Sequence, residues 1–178
     1  ILDKKPLDFA WKFAKKNSIK KTDFIIGINT GAGGRWQDKK LSIEQSVELM
    51  DKLNNELNAK LILFGGPEEK ERNVKIYRLI RTKIIDASCD NSLMEFAALI
   101  NLCRILVTSD SLAMHIGIAL RKKIVAFFYP TSAAEIELYG RGIKVIGQGM
   151  SYCSYQIKCK YPPKWDIDKI VNGVKKLI

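Results

Sequence analysis

One histidine, four cysteines and five prolines are spread over 178 residues, and this scarcity removes several kinds of site at the outset. No second imidazole exists to complete a histidine-rich metal centre. Cys153 and Cys159 stand in an aromatic and basic segment with no further Cys or His pair at four-ligand zinc spacing, so they read as non-metal thiols. Cys89 and Cys103 sit among apolar residues and read as ordinary core thiols, which fits a cytosolic chain. No apolar run approaches the roughly 20 residues that a membrane helix needs. The glycine-rich stretch Gly31-Ala32-Gly33-Gly34 lacks the Gly-Lys-Ser/Thr ending of an NTP-hydrolase loop and the full dinucleotide fingerprint. Neither an initiating Met nor a signal peptide is present, so the chain is expected to be a fragment of a longer polypeptide.

Acidic residues are also in the minority. Thirty Lys+Arg against 19 Asp+Glu leave a formal charge of +11, which favours anionic partners in general. The lysine pairs, Lys39 and Lys40 among them, are scattered along the chain and read as solvated surface rather than as one binding stripe. A hydrophobic content of 47% argues against disorder, and the length suits a single buried core.

The order of elements follows from periodicity. Leu7, Ala10, Trp11 and Ala14 share one helical face, so residues 1–22 read as an entry helix and linker. Residues 23–178 then alternate short apolar strands with amphipathic helices. Strands are expected at Phe24–Ile28, Leu61–Phe64, Ile84–Ile85, Ile105–Val107, Ile124–Phe128 and Ile143–Ile146. Ser42 with Gln45 and Ser92 with Glu95 are capping boxes, and Asp166 caps a last helix. Strands that are apolar on both faces imply an α/β fold with a Rossmann-like parallel sheet of about six strands and helices on both faces. Right-handed crossovers place the strand-to-helix loops on one rim, which brings segments 29–40, 65–71 and 108–115 together.

At that rim the turn Thr108-Ser109-Asp110-Ser111-Leu112 ends a strand and opens a helix, and Asp110 and Ser111 are expected to cap it. The first amides and the helix dipole there make an anion site suited to phosphate. Arg35 and Lys39 are placed to neutralise a diphosphate, the former as a planar fork and the latter as a point charge. On composition alone, the glycine loop reads equally as a ligand cradle and as a turn. Glu69, after Gly65-Gly66-Pro67, can accept ribose hydroxyls or complement a helix dipole. His115, beside Met114 and Ile118, reads as a packed, hydrogen-bonded histidine rather than a catalytic base.

These segments resemble glycosyltransferase family 9, the heptosyltransferases, over about Asp23 to Cys159. Thr30-Gly31-Ala32-Gly33-Gly34-Arg35-Trp36 with Lys39 is similar to the family's Gly-Ala-Gly-Gly-Arg-Trp loop and downstream Lys. Gly65-Gly66-Pro67-Glu68-Glu69 resembles its ribose-binding loop, Ser109-Asp110-Ser111-Leu112-Ala113-Met114-His115 its Asp-Ser-Gly-Pro-Met-His turn, and Phe128-Tyr129-Pro130-Thr131 its Phe-Gly-Pro-Thr. Leu112-Ala113 stand in place of Gly-Pro, Tyr129 in place of Gly, and Leu41-Ser42 where Trp-Pro often follows.

The resemblance implies the C-terminal, nucleotide-sugar-binding half of a two-domain GT-B fold. It implies transfer of heptose from ADP-heptose to a lipopolysaccharide core acceptor, with inversion and without metal or cofactor. Lys39 would stabilise the leaving group, and the amides of Ser111 and Leu112 would hold the diphosphate. Glu69 would bind ribose, and Asp110 would order the turn and touch sugar hydroxyls. Thr30, Gly31, Arg35, Ser109, Ala113 and His115 complete the implied donor site. The general base is expected in an N-terminal acceptor domain that this chain lacks, and the implied location is cytoplasmic, peripheral at the inner membrane. Two other readings remain: a different GT-B nucleotide-sugar transferase or epimerase, and a basic nucleic-acid-binding module. The latter has only the charge in its favour, since no nucleic-acid motif is present.

Overall fold

The computed structural model describes residues 2–148 and 163–178; the expectations for Cys153 and Cys159 lie outside them. Six parallel strands, β1 (Ile25–Asn29), β2 (Lys60–Phe64), β3 (Ile84–Asp86), β4 (Ile105–Ser109), β5 (Lys123–Phe128) and β6 (Gly142–Ile146), form one sheet in the order β3-β2-β1-β4-β5-β6. The chain runs outward from β1 to β3, then crosses back to β4 beside β1 and runs outward the other way. That reversal opens a crevice at the carboxyl ends of β1 and β4, where doubly wound sheets take their ligands.

The four central strands are apolar on both faces because both are covered. Along β1, β2, β4 and β5, alternate residues enter opposite cores, as the two-residue period of a strand requires. Ile26, Ile28, Leu61, Leu63, Ile105, Val107, Val125 and Phe127 pack on one side with α2 (Ile43–Leu57), α3 (Lys70–Leu79) and α6 (Ile167–Lys175). Ile25, Ile62, Phe64 and Leu106 pack on the other with α1 (Lys4–Lys16) and α4 (Leu93–Leu102). Met114 of α5 (Leu112–Ala119) joins Ile124, Ala126, Phe128 and Leu138 there in a third cluster. Gly27 is the small residue that lets the second layer close, since a Cβ at that position would stand 2.8 Å from both Cys103 Sγ and the Phe64 ring.

Each helix start follows its local chemistry. Ser42 and Gln45 bond reciprocally at the head of α2, and Ser92 and Glu95 do the same at α4. Asp166 accepts the Lys169 N–H at 3.0 Å to begin α6, which buries Ile167, Ile170, Val171 and Val174. At about 1.5–3 kcal/mol per apolar side chain removed from water, that stripe holds α6 to the sheet. A short 3-10 turn at Ala133–Glu135 stands between β5 and β6 in place of a crossover helix. The entry helix is also part of the packed body: Ala10 is buried in the core that α4 shares, and Ala14 is buried as well.

Candidate functional site

Five loops, one after each of β1 to β5, meet over the carboxyl ends of the strands. Register pairs Asn29 at the end of β1 with Thr108 near the end of β4. The Asn29 carboxamide donates to Thr108 Oγ1 at 3.2 Å, to Ser111 Oγ at 3.3 Å and to the Gly31 carbonyl at 2.9 Å. One side chain thus ties the glycine loop to the head of α5. Thr30 turns the other way, its hydroxyl donating to Asn73 Oδ1 at 2.7 Å. Ser109 is buried below the loop and donates to the Gly31 carbonyl at 3.4 Å.

The head of α5 differs from expectation. Ser111 is its N-cap residue but its side chain caps nothing; its hydroxyl is occupied with Thr108 Oγ1 at 3.0 Å. Asp110 does not cap either. Its Oδ2 takes Lys39 Nζ at 2.8 Å and the Thr131 hydroxyl at 2.7 Å. Loop-to-loop bonds have won over the local cap, and among the described residues no side chain accepts from the first amides of the helix. Burial alone would raise the Asp110 carboxyl; hydrogen bonds from Lys39 and Thr131, then the charges of Lys39 and His115, outweigh it and hold the group below its ordinary value of 3.8.

Lys39 and Lys40 are not solvated, contrary to the reading of the lysine pairs. Lys39 is 8% exposed, donates also to the Asp110 carbonyl at 3.1 Å, and lies 5.4 Å from the centroid of the Trp36 ring. Lys40 Nζ meets Glu69 Oε1 at 2.9 Å, with both side chains almost fully buried. Glu69 Oε2 accepts the Gly66 N–H at 3.0 Å. Gly31 lies directly against this carboxylate, because a Cβ there would fall 2.8 Å from Oε2. Arg35 is exposed and rests 5.2 Å from the Trp36 ring centroid. His115 corrects the packed-histidine reading: its ring is exposed on α5, and Nε2 lies 4.0 Å from Asp110 Oδ1.

Beside these groups is a cavity of about 470 Å³. One wall is Asn29 with Gly31, Ala32 and Gly33, another is Gly65, Gly66 and Pro67, and the head of α5 contributes Ser111, Leu112 and Ala113. The remainder is Cys89, Asn91, Leu93 and Phe96, from the loop after β3 and the start of α4. Of the residues singled out in the sequence, Gly31, Ser111, Leu112 and Ala113 line it, while Lys39, Asp110 and His115 cluster beside α5. Glu69 lies behind Gly31, whereas Thr30, Ser109 and Arg35 do not face the space. The sequence assigns no ligand role to Asn29, Lys40, Asn91, Phe96 or Thr131. Asn29, a polar residue ending an apolar strand, and Thr131, in the Phe-Tyr-Pro-Thr segment, carry a readable signal. Burial keeps the Cys89 thiol above its ordinary value and pushes Cys103 up to about 12, so neither is a ready thiolate.

The strand order and the crevice at its reversal define a Rossmann-like parallel α/β domain with glycine-rich loops and a helix N-terminus at its carboxyl rim. The family model for glycosyltransferase family 9 (heptosyltransferase) matches residues 4–164, and the chain belongs to that family. Lipooligosaccharide heptosyltransferase 2 of Campylobacter jejuni is 30% identical over 145 residues, which are 72% of this chain and 41% of that protein. The solved glycosyltransferase family 9 structure from Veillonella parvula superposes with a TM-score of 0.81 at 22% identity, covering 99% of this chain and 52% of the other. The E. coli ADP-heptose lps heptosyltransferase II gives 0.74 at 19% identity, with 99% and 52% covered. The chain therefore spans about half the length of the relatives it matches. No helix among the described residues is long and apolar enough to cross a membrane.

Proposed function

We propose that this chain is the donor-binding half of a heptosyltransferase, the C-terminal part of a GT-B enzyme. It takes ADP-heptose and passes the heptose to a lipopolysaccharide core acceptor at the inner membrane surface. The observation that carries the reading is the head of α5: amides without a side-chain cap, at a cavity wall, beside a buried lysine.

In this reading the ligand follows the strand order. Moving across the sheet from β3 to β5, the rim offers first the apolar end of the cavity for a base. The Gly65–Glu69 loop follows for ribose, the glycine loop and the α5 amides for the diphosphate, and Thr131 with His115 for the sugar. Glu69 keeps a second lone pair on each oxygen for ribose hydroxyls, despite its bonds to Lys40 and Gly66. Asp110 Oδ1 is positioned to accept a sugar hydroxyl, since Oδ2 is committed to Lys39 and Thr131.

In the transfer, an acceptor hydroxyl attacks the anomeric carbon from the face opposite the diphosphate, the C–O bond to the β-phosphate breaks, and the configuration inverts. Negative charge grows on the departing ADP. Lys39 spends two of its three N–H groups on Asp110 and has a third for a phosphate oxygen. Together with the α5 dipole it stabilises that charge where it develops, and the reading calls for no metal or cofactor. The proton of the acceptor hydroxyl goes to a base in an N-terminal acceptor domain. A panel of ADP-, UDP- and GDP-linked heptoses offered to the full-length enzyme tests the reading. Turnover with the ADP donor is expected, and preference for another nucleotide would refute it.

A further inference from the structure

The base end of the cavity carries a polar group that neither the family match nor the proposed chemistry assigns. The Asn91 side chain donates to the Ala87 carbonyl at 2.7 Å and the Ser88 carbonyl at 3.1 Å. Both carboxamide hydrogens are thereby consumed. Flipping the amide would set its oxygen against those two carbonyls, so the orientation is fixed by repulsion as well as by bonding. What Asn91 has left for a ligand is Oδ1, an acceptor, and Asn91 lines the cavity. Its neighbours there are apolar. Phe96 supplies a ring, and Leu93 is 57% exposed, with a face free to lie against a flat heterocycle.

This acceptor stands far from the phosphate end. β3 and β4 are separated by β2 and β1, three strand spacings or about 14 Å. A ligand anchored at the α5 amides therefore presents the far edge of its base, not its ribose or phosphates, to the loop that carries Asn91.

We propose that Asn91 is a specificity-determining residue that selects a base bearing an exocyclic amino group. Oδ1 accepts an N–H from that amine, and it meets a base with a carbonyl at the same edge as oxygen against oxygen. The inference rests on the donor-site reading above and names the residue that reads the base of that donor. Asn91 is part-buried, and a bound base covers its oxygen; an analogue that lacks the amine takes that oxygen out of water and leaves it unpaired.

Calorimetric titration of the full chain with ADP, inosine diphosphate, purine riboside diphosphate and pyrophosphate tests it without any variant. ADP is expected to bind roughly tenfold or more tightly than inosine diphosphate, with purine riboside diphosphate, which lacks the amine and adds no carbonyl, in between. Asn91→Ala should bring ADP and inosine diphosphate to within about twofold of each other while leaving pyrophosphate affinity unchanged. Equal binding of ADP and inosine diphosphate by the unaltered chain would overturn this inference and leave the donor-site reading standing. A preference for ADP that persists in Asn91→Ala would overturn it too. Binding of none of the four ligands would remove the donor site, and Asn91's role with it.

Discussion

Lys39 Nζ sits 2.8 Å from Asp110 Oδ2 and 3.1 Å from the Asp110 carbonyl, joining the loop after β1 to the loop after β4 through one ammonium group. The pair closes the switch point of the sheet from the side and holds a cation against the head of α5. Because the Asp110 carboxyl is depressed below 3.8, its stabilising contribution is complete above that pH and is lost as the pH falls through the lower, folded-state value. Asp110→Asn removes this dependence. Thermal unfolding followed from neutral pH into acid should therefore show a shallower acid-side loss for Asp110→Asn than for the unaltered chain. Parallel curves would show that the pair does not contribute.

The α5 amides can be tested separately from any side chain. Leu112 is the first helical residue after the N-cap Ser111, whose backbone is extended at φ −153° and ψ 174°. Proline is compatible with the first helical position, and an extended residue precedes it without strain. Leu112 is also exposed, so its side chain contributes little to the core. Leu112→Pro should keep the unfolding curve nearly unchanged while removing one N–H from the phosphate end. ADP affinity, measured by calorimetry, should fall by about 1.5 kcal/mol or more, roughly tenfold.

The Lys40–Glu69 pair makes a stability prediction. Both side chains are almost fully buried, so deleting one leaves an uncompensated charge in the interior. Glu69→Ala should cost about 3–5 kcal/mol in chemical denaturation. The double replacement Glu69→Leu with Lys40→Met should recover much of that loss, since it removes both charges and keeps the volume. A double variant as unstable as the single one would place the cost in lost packing or in the Gly66 N–H bond.

These pairings also mark what the sequence could and could not disclose. The six strands, the two capping boxes and the convergence of loops 29–40, 65–71 and 108–115 were legible because they follow from local periodicity and from the handedness of crossovers. The fate of Lys40 was not, because a lysine beside another lysine looks like surface until its partner, 29 residues away in sequence, is brought to it. The Ser111 cap failed for a related reason: a residue well suited to a local bond was taken by Thr108 and Asn29, one of them from another strand. His115 looked packed because Met114 and Ile118 flank it in sequence, yet its own position on α5 faces outward. Asn91 carries no signal in the sequence, since nothing local says that its donors are used up and its oxygen is left over.

The central claim is that a nucleoside diphosphate is held between the head of α5 and Lys39. Calorimetric titration of ADP into the unaltered chain and into Lys39→Ala, with unfolding curves to confirm that both are folded, tests it most directly. Removing a charged hydrogen-bond donor should weaken binding by about 1.5–3 kcal/mol, a tenfold to hundredfold loss of affinity. Equal affinity in the two proteins, or no ADP binding to the folded unaltered chain, would contradict the account.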